Sequence, residues 1–376
     1  MAGVFIAAYA LHVTPGRGAA ASYSLLTGLA LGIVFQRGRF CFFCIFQDLF
    51  ERRNAAPLFA ILTALALGGV CYAIVFGAFL PNPLAGRLPP DAHIGPVSWA
   101  LALAGFAFGV GMSLSGACIS ALLYRLGEGY ARAPFGLLGT LVGFGLGFLS
   151  WRSLYLGVIS GAPVLWLPAQ LGYGGALAMH LIVLAGLAAA LLRFVPPLPE
   201  RPPTTLNRHY LYQQVFRQRW NPLVTGALVA IIGAFAYLRV EPLGVTAQLG
   251  SVSRTLLSNA GYLGQRLPGL DTFAGCATQV VQTMTNNGLL ITGLVLGALA
   301  AALMANAFKL TKLTVRNSTT ALIGGVLMGW GAMIALGCTV GTLLSGMSAF
   351  AVSGWVFAVS CTLGVRLGLK LKLHRL

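Results

Sequence analysis

The chain has 376 residues, 57% of them hydrophobic and only 8% charged, with a mean hydropathy of +0.84. A soluble domain carries about 25% charged residues, so this composition excludes an ordinary soluble protein and also intrinsic disorder. The net charge is +17, from 24 Lys+Arg against 7 Asp+Glu; the basic residues are scattered between apolar stretches, which points to loops on one side of a membrane rather than to nucleic acid.

The apolar stretches are continuous, not alternating, which argues for helices over a transmembrane β-barrel. The expected fold is therefore an all-α polytopic membrane protein. In chain order the hydropathy predicts nine spans, at 22–36, 57–80, 98–118, 134–150, 171–193, 221–238, 287–307, 317–336 and 349–365. Segments 40–50, 119–126, 270–285 and 338–348 are expected to be short broken or re-entrant pieces. The first twenty residues show no cleavable signal pattern. Residues 194–220, FVPPLPERPPTTLNRHYLYQQVFRQRW, are rich in Pro and charge and read as a cytoplasmic linker. They divide the chain into a first half, 1–193, and a second half, 221–376. With the N-terminus outside, 18 of the 24 basic residues fall on the cytoplasmic side and 6 outside. This predicts an outside N-terminus and a cytoplasmic C-terminus.

The halves echo each other. Phe108-Gly109-Val110-Gly111 leads into Cys118 as Met328-Gly329-Trp330-Gly331 leads into Cys338, at an offset of 220. These two spans are the third and the eighth, so they cross in opposite directions, which is the inverted repeat usual in secondary transporters. Small residues recur four apart at Gly28/Gly32, Gly105/Gly109, Gly139/Gly143/Gly147, Gly293/Gly297 and Gly325/Gly329. Most of these read as helix packing in lipid. Gly116 and Gly337 adjoin cysteines at expected helix breaks, where Gly tolerates unwound backbone.

Three motifs can carry chemistry. Gln36-Arg37-Gly38-Arg39-Phe40-Cys41 follows the first span, and Cys41 with Cys44 forms a C-x-x-C; it reads either as a basic anchor with two core cysteines or as a redox pair. The other two are Ser115-Gly116-Ala117-Cys118, followed by Tyr124-Arg125-Leu126-Gly127-Glu128-Gly129, and Gly337-Cys338-Thr339-Val340-Gly341. Cys71, Cys361 and Cys276 read as small core hydrophobes. None of the seven acids falls centrally in a span, so a carboxylate proton relay has no candidate. The five His form no ligand cluster, and His180, inside a span, reads as a packed, hydrogen-bonded residue. There is no Walker loop, dinucleotide fingerprint or nucleophile elbow in a credible context. No cofactor or metal is expected.

At the segments GIVFQRGRFC (32–41), SGACISALLYRLGEG (115–129), RWNPLVTGAL (219–228), PLGVT (242–246) and IGGVLMGWGAMIALGCTVG (323–341), the sequence resembles the YeeE/YedE family of bacterial inner-membrane proteins, the thiosulfate-transporter family. The resemblance runs over nearly the whole chain. It implies a non-enzymatic thiosulfate permease in the inner membrane, with an hourglass-shaped inverted-repeat fold and a pathway lined by Cys41, Cys118 and Cys338. It also implies a small cytoplasmic sulfur carrier of the TusA-like kind as partner, besides membrane lipid. The family commonly has Gly-Gly-Cys in both repeats, where this chain has Gly116-Ala117-Cys118 and Leu336-Gly337-Cys338; Ala121 stands where Gly is frequent. These changes narrow the site.

A dianion is costly to desolvate unless donors replace water. Neutral thiols donate weakly without adding negative charge, so Cys41, Cys118 and Cys338 are expected to pass the ion between them as thiols. Helix N-termini after Cys118 and Cys338 would add N–H donors. Gly244 and Thr246 are expected to line the same site. Arg37 and Arg39 read equally as anion attractors and as membrane anchors. Three alternatives stay open: a selenium oxyanion or another sulfur species as cargo, a membrane enzyme that transfers sulfur through a thiol or persulfide, and a passive channel or an assembly subunit. Gly-rich packing serves contacts within and between chains alike, so the oligomeric state is left open.

Overall fold

An apolar segment in lipid has no water to satisfy its backbone, so it closes its hydrogen bonds within a helix. The computed structural model describes residues 2–14, 18–196, 207, 210, 212–264, 266–270 and 280–375. In chain order its main helices are α1 (Ala2–Val13), α2 (Gly18–Gly38), α3 (Phe42–Arg52), α4 (Leu58–Phe79), α5 (Trp99–Ser115), α6 (Ile119–Gly127) and α7 (Ala133–Leu154). There follow α8 (Pro168–Leu192), α9 (Pro222–Arg239), α10 (Ala247–Asn259), α11 (Asn286–Met304), α12 (Val315–Ile334), a π-helix (Thr339–Gly346) and α13 (Val352–Lys370).

Each predicted span has its helix: α2, α4, α5, α7, α8, α9, α11, α12 and α13. Among the described residues eight stretches are long and apolar enough to cross a membrane; α12 with the π-helix, bent by 42°, makes a ninth. The chain is thus an all-α polytopic membrane protein. The expected broken pieces at 40–50, 119–126 and 338–348 are α3, α6 and the π-helix. The piece at 270–285 and Cys276 lie largely outside the described residues, as does much of the linker 194–220. Side-chain caps set several starts: Ser98 Oγ accepts from Leu101 N (3.3 Å), Thr285 Oγ1 from Gly288 N (3.1 Å), Thr314 Oγ1 from Asn317 N (3.2 Å) and Asn221 Oδ1 from Leu223 N (2.9 Å).

Helices from opposite sides of the linker interlock. α2 packs on α11, α4 on α9, α5 on both α12 and α13, and α7 on α12. Exchanging α2 with α9, α4 with α11, α5 with α12 and α7 with α13 maps this set of pairings onto itself. The seams are made by the four-spaced glycines. Gly28 and Gly32 lie on the backbone of Leu290 and Leu294, and Gly293 and Gly297 return the contact on Leu25 and Leu29. Gly139 and Gly143 meet Leu322 and Val326, while Gly325 and Gly329 meet Gly136 and Thr140. At each of these a Cβ would strike a carbonyl oxygen. α8 stands at the edge on α4 and is mostly exposed along its apolar length; its His180 is buried, with Nε2 at 3.1 Å from the Leu65 carbonyl and its ring against Phe350 and Trp355.

Two helices were not foreseen. α1 falls before the first predicted span and is too short to cross. α10, AQLGSVSRTLLSN, alternates small polar and apolar residues, so a hydropathy scan passes over it.

Gly143→Val should place methyl groups on the Val326 carbonyl and cost about 1–3 kcal/mol or more, lowering the melting temperature of the detergent-purified protein. Gly157→Val, where nothing lies within 4 Å, should leave it unchanged.

Candidate functional site

Three of the interior helices that begin at a break share one feature: the residue before the first turn is a cysteine. Cys41 is the N-cap of α3, Cys118 of α6 and Cys338 of the π-helix. All three have zero exposure. Thr246, also fully buried, is the N-cap of α10. The helix-starting position after α9 in the second half thus carries Thr246 where the position after α2 in the first carries Cys41.

The N-termini supply N–H groups to the sulfurs. Cys41 Sγ accepts from Cys44 N at 3.4 Å. The N–H groups of Ala121 and Phe42 face Cys118, and Cys118 Sγ lies 3.3 Å from Ser120 Oγ. The N–H groups of Gly341 and Val340 face Cys338. Cys41 is thereby an acceptor toward its own helix, whereas Cys118 and Cys338 stand at the same position without a side-chain cap hydrogen bond.

These residues form two stations. At the first, the side chains of Cys41, Cys44 and Cys118 lie against one another. At the second, the Thr246 side chain lies against Cys338. Cys338 lies close enough to Cys118 for their charges to interact. Among the described residues no three His, Cys, Asp or Glu side chains converge as a metal-ligand set.

The breaks themselves are shaped by the residues before the cysteines. Gly116 closes α5 in the left-handed region, at φ 70°, with its N–H on the Met112 carbonyl at 2.9 Å. At the equivalent position of the second half Leu336 takes the same conformation, at φ 54°. Gly337 has no room for a Cβ, which would collide with the Thr342 side chain. The Gly244 carbonyl accepts from Asn287 Nδ2 at 2.6 Å, and Asn287 Oδ1 accepts from Gln248 N at 3.1 Å, so one buried amide clamps the turn that carries Thr246.

Arg125 binds the first station. Its Nη2 donates to Cys44 Sγ at 2.9 Å and its Nη1 to the Gly116 carbonyl at 3.3 Å; its guanidinium lies 5.4 Å from the Tyr130 ring. Arg132 Nη2 donates to the Leu114 and Ser115 carbonyls at 3.0 and 2.8 Å. The two arginines predicted from the sequence lie elsewhere. Arg37 is buried, with Nη2 on the Gln218 carbonyl at 2.5 Å and its own carbonyl accepting from Trp220 N, so it ties the end of α2 to the end of the linker. Arg39 is exposed, at φ 49° in the turn between α2 and α3.

Sequence reasoning missed His93, Asn287 and a role for Arg125. His93 lies in the irregular stretch between α4 and α5, 5% exposed, with its ring over Gly341 and near Gly244. Burial holds its pKa down to about 4, so it is neutral at pH 7. Asn287 stands out only as a buried amide at the head of an apolar span. For Arg125 the signal was its place in the motif that follows Cys118.

A family model described as sulphur transport matches residues 37–367. The chain belongs to this family. It is 27% identical to the thiosulfate transporter TsuA of Escherichia coli over 361 residues, covering 91% of each chain. It is 30% identical to the thiosulfate transporter TsuA of Spirochaeta thermophila over 362 residues, covering 90% of this chain and 95% of that one. A probable transporter, YedE of Escherichia coli, is 35% identical over 88 residues, 23% of this chain.

A His whose pKa is depressed in the folded state contributes stability that is present above its ordinary pKa and is lost as pH falls through the folded value. Between pH 6.5 and about 4 the folded protein should therefore lose stability relative to His93→Gln, by up to about 3 kcal/mol. Glu241, pushed up by burial and by Asp91, titrates in the opposite sense, so the difference between wild type and variant in a pH series of thermal melts is the quantity to read.

Proposed function

We propose that this chain is an inner-membrane transporter that takes up thiosulfate, passing it between the station at Cys41 and Cys118 and the station at Cys338 and Thr246. The observation that carries the reading is the common placement of the three cysteines as helix N-caps, in a chain similar over nine-tenths of its length to two proteins named thiosulfate transporter. The Cys44 N–H occupies a lone pair of Cys41, and the first turns after Cys118 and Cys338 face their sulfurs, so the S–H protons turn toward the ion. The helix termini add a favourable dipole where a dianion must be desolvated. A thiolate in the same place would repel it. The halves 1–193 and 221–376, joined by 194–220, act as the two arms of an inverted repeat, with the N-terminus outside and the C-terminus in the cytoplasm. Both stations are fully buried, so this is the closed form, and passage requires the breaks to part.

A groove of about 640 Å³ lined by Asn54, Pro57, Gln214, Gln218, Arg219 and Trp220 lies beside the linker. On the proposed orientation it faces the cytoplasm, where a TusA-like sulfur carrier would receive the delivered sulfur.

One contact favours a second reading. Arg125 on Cys44 Sγ at 2.9 Å favours a thiolate, and a thiolate attacks the outer sulfur of thiosulfate. The S–S bond of thiosulfate breaks, a persulfide forms on cysteine and sulfite leaves, with no external oxidant or reductant.

In cells lacking their own sulfate and thiosulfate uptake, expression of this chain should restore growth on thiosulfate and uptake of the labelled ion. Cys118→Ala and Cys338→Ala should each reduce uptake at least tenfold at equal membrane levels, as expected when an ion loses a buried donor. Normal transport by both variants would sink the relay. Cys44→Ala should transport normally if the ion passes unchanged. A mass gain of one sulfur atom on Cys44 during turnover would favour the second reading.

A further inference from the structure

Besides the cysteines, the second station holds buried polar atoms to which the protein gives no partner. His93 Nδ1 and Thr339 Oγ1 are both buried without a hydrogen bond. His93 is 5% exposed and Thr339 fully buried. An orphaned buried donor costs about 1–3 kcal/mol, and one station carries two of them. Tyr72 Oη is buried and unpartnered as well, but it belongs to a water-sized pocket with Ser345 and Ser348.

The geometry ties His93 to Cys338 from two directions. Gly341, whose N–H faces the Cys338 sulfur, lies directly under the imidazole: a Cβ there would stand 2.9 Å from His93 Cε1 and 3.4 Å from Nδ1. Gly244 lies two residues before Thr246, whose side chain lies against Cys338, and a Cβ there would stand 3.7 Å from His93 Nε2. The two segments that touch the sulfur also touch the ring. The Leu336 carbonyl is near the ring as well, yet Nδ1 finds no partner of acceptable geometry. No charged side chain enters the surroundings that govern His93, so the imidazole is not held by an ion pair.

We propose that His93 is a binding residue of the second station, donating from Nδ1 to an oxygen of the transported sulfur oxyanion while Cys338 and Thr339 meet the same ion. The proposal rests on the anion-transport reading above. An anion only accepts hydrogen bonds, so the bound state requires a proton on Nδ1. A neutral imidazole supplies that donor without adding a fixed cation from which the ion would have to escape.

Three substitutions separate contact from packing. Asn places its amide where Nδ1 stands, Gln places it nearer Nε2, and Phe keeps the ring volume with no donor. With thiosulfate as the probe, His93→Asn should keep the uptake KM within about threefold of wild type, whereas His93→Gln and His93→Phe should raise it roughly tenfold or more. The three variants should reach the membrane at equal levels. In protein labelled with ¹⁵N-histidine, and with the His93 signal assigned from the Gln variant, thiosulfate should move Nδ1 to the protonated form. His93→Phe with a wild-type KM overturns the proposal. So does an equal loss in all three variants, or an Nδ1 signal that ignores thiosulfate. A wild-type protein that neither binds nor takes up thiosulfate overturns the transport reading first and this proposal with it; a working wild type with unaffected variants overturns only the proposal.

Discussion

A helix that begins inside a membrane has N–H groups at its first turn and no water to meet them. Among the described residues four helices begin at buried breaks, and the residues before them are Cys41, Cys118, Thr246 and Cys338. Ser, Asp and Asn are the strong N-caps, and a sulfur is a weaker acceptor than any of them. Asp would fill the site with negative charge and exclude an anion. Ser would cap well, but a hydroxyl is a harder group than the sulfur of a reduced-sulfur anion. Cysteine gives up some capping strength and in return offers a neutral, polarizable donor at the same place. The thiols and the broken helices stand together: the break creates the N–H groups, and at Cys41 one of them, Cys44 N, binds the sulfur.

The breaks meet only because the surrounding helices come close enough. Gly28 and Gly32 against α11, with Gly293 and Gly297 returning the contact, let two backbones touch without side chains between them. Gly139 and Gly143 do the same with Gly325 and Gly329. The result is a frame in which helices of each half are held by helices of the other. The backbone at the breaks repeats as well. Gly116 and Leu336 sit 220 positions apart and both turn left-handed, although for Leu that conformation costs about 1–2 kcal/mol. The geometry of the turn is kept even where the residue that would adopt it freely is absent.

Hydropathy was enough to place every membrane-crossing helix, because continuous apolar runs have one answer in lipid. The four-spaced glycines and the two Cys segments were legible for a similar reason: their spacing matches the helical repeat and their offset is constant. What was not legible lay off the helices or against their usual chemistry. α10 is too polar for a hydropathy scan. His93 sits in a loop, and nothing in its neighbours in sequence tells that the chain folds it onto Gly341. Arg37 read as well for an anchor as for an anion site, and only the Gln218 carbonyl distinguishes the two uses.

The two stations are alike in backbone and unlike in charge. The first carries Arg125 on Cys44 and Gly116, with Arg132 on the Leu114 and Ser115 carbonyls. Among the described residues no carboxylate lies at salt-bridge distance from either guanidinium. The offset of 220 places Ser345 and Val352 at the equivalent positions of the second half, and Ser345 spends its hydroxyl on the Leu243 carbonyl. At these two positions the second half therefore carries no cation, while the first has two, set at the carboxyl end of α5. On an anion pathway this makes the first station the deeper well. It does not make the pathway run one way, because unequal wells shift where an ion dwells and leave the net direction to the gradient.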